Sequence, residues 1–102
     1  MAQFVKVATL ERLAATGAIE VEHDGVILAL FRQGDEVIAL DGICPHQGGP
    51  LAAGEAQQST LTCPWHGWQF DLASGRCLTA RSVIQPRYTV RLQGDDILVE
   101  LP

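Results

Sequence analysis

Apolar and polar residues along the chain fall into short runs punctuated by turn residues, a pattern that predicts strands more than helices. Ala18 to His23 alternates Ile19 and Val21 with Glu20 and Glu22, and Asp24-Gly25 then supplies a two-residue hairpin signal. Val26 to Phe31 is apolar throughout, as a strand covered on both faces would be. Gln33-Gly34-Asp35 turns the chain into a further strand, Val37 to Leu40. Later, Tyr88, Val90 and Leu92 alternate with Arg87, Thr89, Arg91 and Gln93, which predicts one half-buried strand by its period of two. Gly94-Asp95-Asp96 turns this strand back into Ile97, Val99 and Leu101. Only Leu10 to Ala15 has helical composition, enough for a turn or two. The fold class expected is all-β.

Between the two groups of strands, Asp41 to Pro86 is rich in Gly, Pro and aromatic residues, with no repeat or low-complexity stretch. A loop-rich segment of that length inside a small domain should be functional or held by something other than a core. A chain of 102 residues supports one domain, 1–102, with a smaller subdomain at about 42–86 inserted between the flanking strands. At this size folding buries roughly 60–68% of the unfolded surface, enough for one modest core. The composition, 47% hydrophobic and 19% charged, is that of a globular protein and not a disordered one. A net charge of −5 argues against nucleic acid and anionic membranes as partners and favours basic patches on other proteins. No apolar run reaches the length of a membrane span, and Met1 to Lys6 lacks a signal-like stretch, so a cytoplasmic location is expected.

Chemistry is concentrated in two cysteine–histidine pairs, Cys44-Pro-His46 and Cys63-Pro-Trp-His66, both inside the loop-rich segment. Two thiolates and two imidazoles form a complete ligand set for a mixed-ligand iron–sulfur cluster, in which one iron takes both cysteines and the other both histidines. In an extended loop Cys44 and His46 project to one side, while the spacing of Cys63 and His66 suits a tight turn. Gly48-Gly49-Pro50 and Gly67 allow positive φ and close backbone approach, so main-chain N–H groups can point at sulfur. Pro45 and Pro64 stiffen the loops. The same four ligands would also satisfy tetrahedral zinc, although the usual Cys-x₂-Cys and His-x₃-His spacings are absent. Cys77 is left without an intrachain partner, which fits a reducing compartment and predicts a half-buried small apolar residue. His23, beside the Asp24-Gly25 turn, is expected at the surface. No catalytic triad, carboxylate pair or phosphate loop is present, so only the cluster can carry chemistry.

Cys44-Pro-His46-Gln-Gly-Gly-Pro50 and Cys63-Pro-Trp-His66-Gly-Trp-Gln-Phe-Asp71 resemble the two boxes of Rieske-type [2Fe–2S] domains. More narrowly, the chain is similar to the soluble Rieske ferredoxins of aromatic-ring hydroxylating dioxygenases. The resemblance extends to the Asp71-Leu-Ala-Ser-Gly75 turn and the hairpin around Gly94-Asp95-Asp96, covering essentially the whole chain. It implies a β-sandwich base carrying a smaller cluster-binding subdomain. Cys44 and Cys63 would bind the inner iron, and His46 and His66 the outer iron nearest solvent. The implied role is that of a monomeric one-electron carrier between a flavin-containing NAD(P)H reductase and a terminal oxygenase, not itself an enzyme. The runner-up is a small Rieske-type subunit of an NAD(P)H-dependent nitrite reductase, whose chains often lack some of the ligands kept here. With the sequence ending at Pro102, the mononuclear-iron catalytic domain of an oxygenase large subunit is expected to be absent, as in a carrier.

The departures from the respiratory branch of the family predict the tuning. That branch has a further cysteine in each box, aligned with Gly49 and Trp65, and serine and tyrosine hydroxyls aligned with Trp68 and Phe70. Without those donors to the cluster sulfurs the reduced state is less stabilised. The potential should then fall at the low end of the Rieske span of about −150 to +300 mV. Gln47, Trp65, Trp68 and Pro86 are expected near the histidines, as an apolar docking collar or, for the tryptophans, as packing at the loop base.

Overall fold

The computed structural model describes residues 3–45, 48–65, 67–80 and 82–101. Its elements are β1 (Gln3–Thr9), α1 (Leu10–Thr16), β2 (Ala18–His23), β3 (Val26–Gln33) and β4 (Glu36–Asp41). A 3₁₀ turn (Leu51–Ala53) follows, then β5 (Glu55–Gln57), β6 (Thr60–Thr62), β7 (Gln69–Asp71), β8 (Arg87–Tyr88), β9 (Val90–Gln93) and β10 (Asp96–Leu101). They form three antiparallel sheets, ordered β1-β10-β9, β2-β3-β4-β8 and β5-β6-β7.

The middle sheet separates two cores, and the apolar run of β3 shows why. Leu28 and Leu30 point toward Val99, Ile97 and Leu13, into the core shared with the β1-β10-β9 sheet. Ala29 and Phe31 point the other way, into a core containing Leu61, Phe70, Cys44 and Cys63. Strand β4 repeats the division, with Val37 and Ala39 on the first side and Ile38 and Leu40 on the second. Because successive side chains alternate across a strand, a strand covered on both faces must be apolar throughout. Each such Leu or Phe, 1% exposed or less, contributes about 1.5–3 kcal/mol by leaving water. Helix α1 closes one edge of the first core with Leu13. Thr9 caps its start by accepting a hydrogen bond from Arg12 N at 3.2 Å, and Gly17 N–H closes its end on Leu13 O at 2.7 Å.

Three expectations from the pattern need correction. The strand expected over 87–93 is two strands. Arg87 and Tyr88 pair with Leu40 and Ala39, whereas Val90 and Leu92 pair with Val99 and Ile97. At Thr89 the chain leaves one sheet for the other, and period-two alternation continues through the change. Leu92, expected to be half-buried, is 43% exposed because β9 is an edge strand. The pattern predicts no strand before Leu10, yet β1 forms there, with Val5 and Val7 packed on the first core. The loop-rich segment also contains the β5-β6-β7 sheet. Its strands, three residues each, are too short to show periodicity, and a positive φ at Gln58 makes the β5–β6 turn.

Candidate metal centre

Strand β4 runs out at Asp41, and its carboxylate Oδ1 accepts from Ile43 N at 3.1 Å, bending the chain into the first loop. Cys44 closes that loop in both directions: its N–H donates to Gly49 O at 2.8 Å, and its carbonyl accepts from Gly48 N at 2.9 Å. The second loop is the tip of the β6–β7 hairpin. Cys63 N donates to Trp68 O at 2.7 Å, and Trp65 N–H points back at Cys63 Sγ at 3.4 Å. This is the kind of main-chain donor to sulfur that the glycine-rich loops implied. Gly48 and Gly67, with φ of +77° and +71°, take the left-handed turns these loops require.

The loops meet at Gly49. A Cβ there would lie 2.9 Å from Trp65 Cγ and 3.1 Å from Cys63 Sγ, so the absence of a side chain is what lets the first loop lie against the second. Cys44 and Cys63 are each 1% exposed and carry free thiols close enough to interact. Burial pushes the Cys63 thiol up. The Trp65 N–H opposes this rise, and the Cys44 thiol beside it adds to it. A coordinated cation deprotonates a thiol outright and so removes the cost that burial places on the Cys63 thiolate. The donor set therefore fits a metal centre. Among the described residues no third His, Cys, Asp or Glu joins the pair. His46, Gln47 and His66 lie outside the described residues.

The remaining expected positions divide. Trp65 is 49% exposed, while Trp68 is partly buried against the second core and Phe70 is completely buried within it. Pro86 is exposed and its carbonyl accepts from Asp41 N at 2.9 Å, at the foot of the first loop. Cys77 is buried completely, more deeply than expected, and its Sγ accepts from Ala80 N at 3.3 Å. His23 is partly exposed and sits 3.5 Å from the Asp24 carboxylate. Gln85 was not among the expected site residues. No motif or period marks it, yet its amide, 2% exposed, donates at 2.7 Å to both Asp41 O and Ile43 O.

Comparison with known families decides what these loops belong to. The family model for the Rieske [2Fe–2S] domain matches residues 3–94. This chain is a Rieske [2Fe–2S] protein. The Rieske domain is 25% identical over 100 residues to the ferredoxin component of a naphthalene 1,2-dioxygenase system from Pseudomonas aeruginosa, covering 97% of this chain and 96% of that one. It is 33% identical over 79 residues to the ferredoxin subunit of 3-phenylpropionate/cinnamic acid dioxygenase from Shigella flexneri, 74% of each chain. Among solved structures it superposes with a TM-score of 0.85 on the ferredoxin of carbazole 1,9a-dioxygenase from Nocardioides aromaticivorans, at 30% identity over 95% of this chain and 96% of that one. Other curated relatives are far longer, and the Rieske domain spans only 11–15% of their length. The cofactor of the family is a [2Fe–2S] cluster, and the paired buried thiols suit its cysteine-bound iron. Among the described residues no helix is long and apolar enough to cross a membrane.

Proposed function

We propose that this Rieske protein is a low-potential one-electron carrier that accepts electrons from a flavin-containing NAD(P)H reductase and delivers them to a terminal oxygenase. Cys44 and Cys63 would hold the inner iron and His46 and His66 the outer one, within a cluster-binding subdomain at about 42–86. The cluster supplies a one-electron couple with every ligand position filled, which moves charge without transforming a substrate. The chain's own residues exclude water from the two thiols, direct the Trp65 N–H at Cys63 Sγ, and keep both loops in register through the contact at Gly49.

The observation that carries this reading is the meeting of Cys44 and Cys63, from loops on different sheets, in a dry core beside an exposed apolar surface. That surface includes Trp65 and also Ile43, 38% exposed, whose Cγ2 approaches Gly48. It suits a partner that docks close to the outer iron, so Trp65 supports the docking role while Trp68 and Phe70 serve as packing. The named ferredoxin components and subunits among the relatives favour an oxygenase as the acceptor.

Iron and acid-labile sulfide analysis with EPR of the reduced, anaerobically purified protein tests the assignment. The expected result is two irons and two sulfides per chain with a mixed-ligand spectrum, lost on combining His46→Ala with His66→Ala. A colourless zinc protein, or a spectrum that survives the double substitution, would refute it.

A further inference from the structure

We propose that Gln85 is a positioning residue for the first ligand loop, clamping the peptide between Ile43 and Cys44 through its side-chain amide. The inference deepens the carrier reading and rests on it. Gln85 is the one polar or charged side chain buried among the described residues, and Nε2 spends both its hydrogens on carbonyls just ahead of Cys44. The carbonyl of the Ile43–Cys44 peptide accepts from Gln85, and the N–H of that same peptide donates to Gly49 O at 2.8 Å. A peptide plane bonded on both edges cannot tilt without breaking one of them.

The backbone around Gln85 reaches the other loop as well. Gln85 N donates to Gly75 O at 2.7 Å, and Gly75 is the place where a side chain would strike the Gln85 carbonyl. Cys77 N donates to Val83 O at 2.9 Å, and Asp41 N to Pro86 O at 2.9 Å. Residues 83–86 therefore strap the entry of the first loop to the turn that follows β7, the strand leaving the second loop. Gln85 thereby sets where Cys44 stands relative to Cys63. Loosening that clamp admits water to the sulfurs, and water there favours the more negative reduced state, which raises the potential.

Gln85→Met keeps the side-chain length and removes both donors, while Gln85→Glu keeps the shape and turns oxygen toward two carbonyls. In the oxidised holoprotein, hydrogen–deuterium exchange over residues 41–50 is expected to quicken about tenfold, the cost of two lost hydrogen bonds, with residues 18–33 unchanged. The potential should rise, and iron release to bathophenanthroline should accelerate. Leu13→Ala, in the other core, is the comparison for a purely structural loss: it lowers the melting temperature and leaves the potential in place. Wild-type exchange and potential in Gln85→Met, or exchange raised equally over 18–33, would overturn the proposal. Should neither variant fold, Gln85→Asn, too short to span both carbonyls, is read the same way. Wild type prepared in parallel separates the two failures. Wild type without iron and sulfide sinks the carrier reading, whereas loaded wild type with unaltered variants sinks only the role of Gln85.

Discussion

At the scale of single residues, the contact at Gly49 governs how the two ligand loops fit. Even one methyl there lands within 3.1 Å of Cys63 Sγ and closer to the Trp65 ring, and the obstruction lies on a short closed loop with little freedom to yield. Gly49→Ala should therefore cost about 1–3 kcal/mol, the usual range for overpacking, and lower the iron content of purified protein. Thermal melting and iron analysis against wild type check this. The missing hydroxyls give a second residue-level expectation. Trp68→Ser combined with Phe70→Tyr should move the potential upward, as measured by voltammetry, since each adds a hydroxyl at a position aligned with a sulfur donor in the respiratory branch. An unchanged potential would remove the tuning account. The ligand boxes were legible at this scale because fixed spacing and residue type express the chemistry directly. Gln85 was not, because a lone buried amide becomes meaningful only through the two carbonyls that folding brings to it.

Among the elements, legibility followed length and environment. Strands β2, β3, β4 and β10 each run six residues or more, long enough for alternation or an unbroken apolar run to declare itself. Length did not suffice for the seven-residue β1, whose pairing is interrupted by a register shift between Lys6 and Ala8. The strands of the small sheet have three residues each; Leu61 stands alone between Thr60 and Thr62, and the alternation of Trp68, Phe70 and Leu72 with Gln69 and Asp71 runs on directly from the second ligand box. The break between β8 and β9 was hidden for a different reason: the side-chain period persists while the hydrogen-bonding partner changes. Tyr88, on the first side of that break, has its phenol pushed up by burial and by the Asp41 carboxylate nearby. The fold thus favours the neutral phenol. Its stabilising contribution is intact below about pH 10, the unfolded value, and drains away as pH rises from there through the higher folded value. Urea midpoints taken across that interval should fall more steeply for wild type than for Tyr88→Phe. Equal slopes would show that the phenol is not linked to folding.

For the whole molecule, the two cores answer differently to loss of the cofactor. The core with Leu13, Ile97 and Val99 contains neither ligand loop, whereas Cys44 and Cys63 belong to the other. Binding free energy at such a centre is also folding free energy. Apoprotein should consequently lose exchange protection over residues 42–86 while β1, β2, β3 and β10 keep theirs, and uniform loss of protection would contradict this division. Charge is distributed along the same line. Glu55 and Asp71 are balanced by Arg76 and Arg81 within 42–86, so the entire acidic excess of −5 belongs to the flanking sequence. Long-range attraction toward a basic partner would act on the base and leave the surface around Trp65 to make neutral, close contact.

The pairing of Leu40 with Arg87 and of Ala39 with Tyr88, reinforced by the bond from Asp41 N to Pro86 O, brings the two feet of the 42–86 segment side by side. A segment that departs and returns through adjacent backbone positions behaves as a cassette. Splicing a short glycine–serine turn in its place should yield a colourless sandwich that melts at a lower temperature, because Phe31, Ile38 and Leu40 lose their cover. The excised piece should be transplantable only onto a hairpin that offers the same inward side chains.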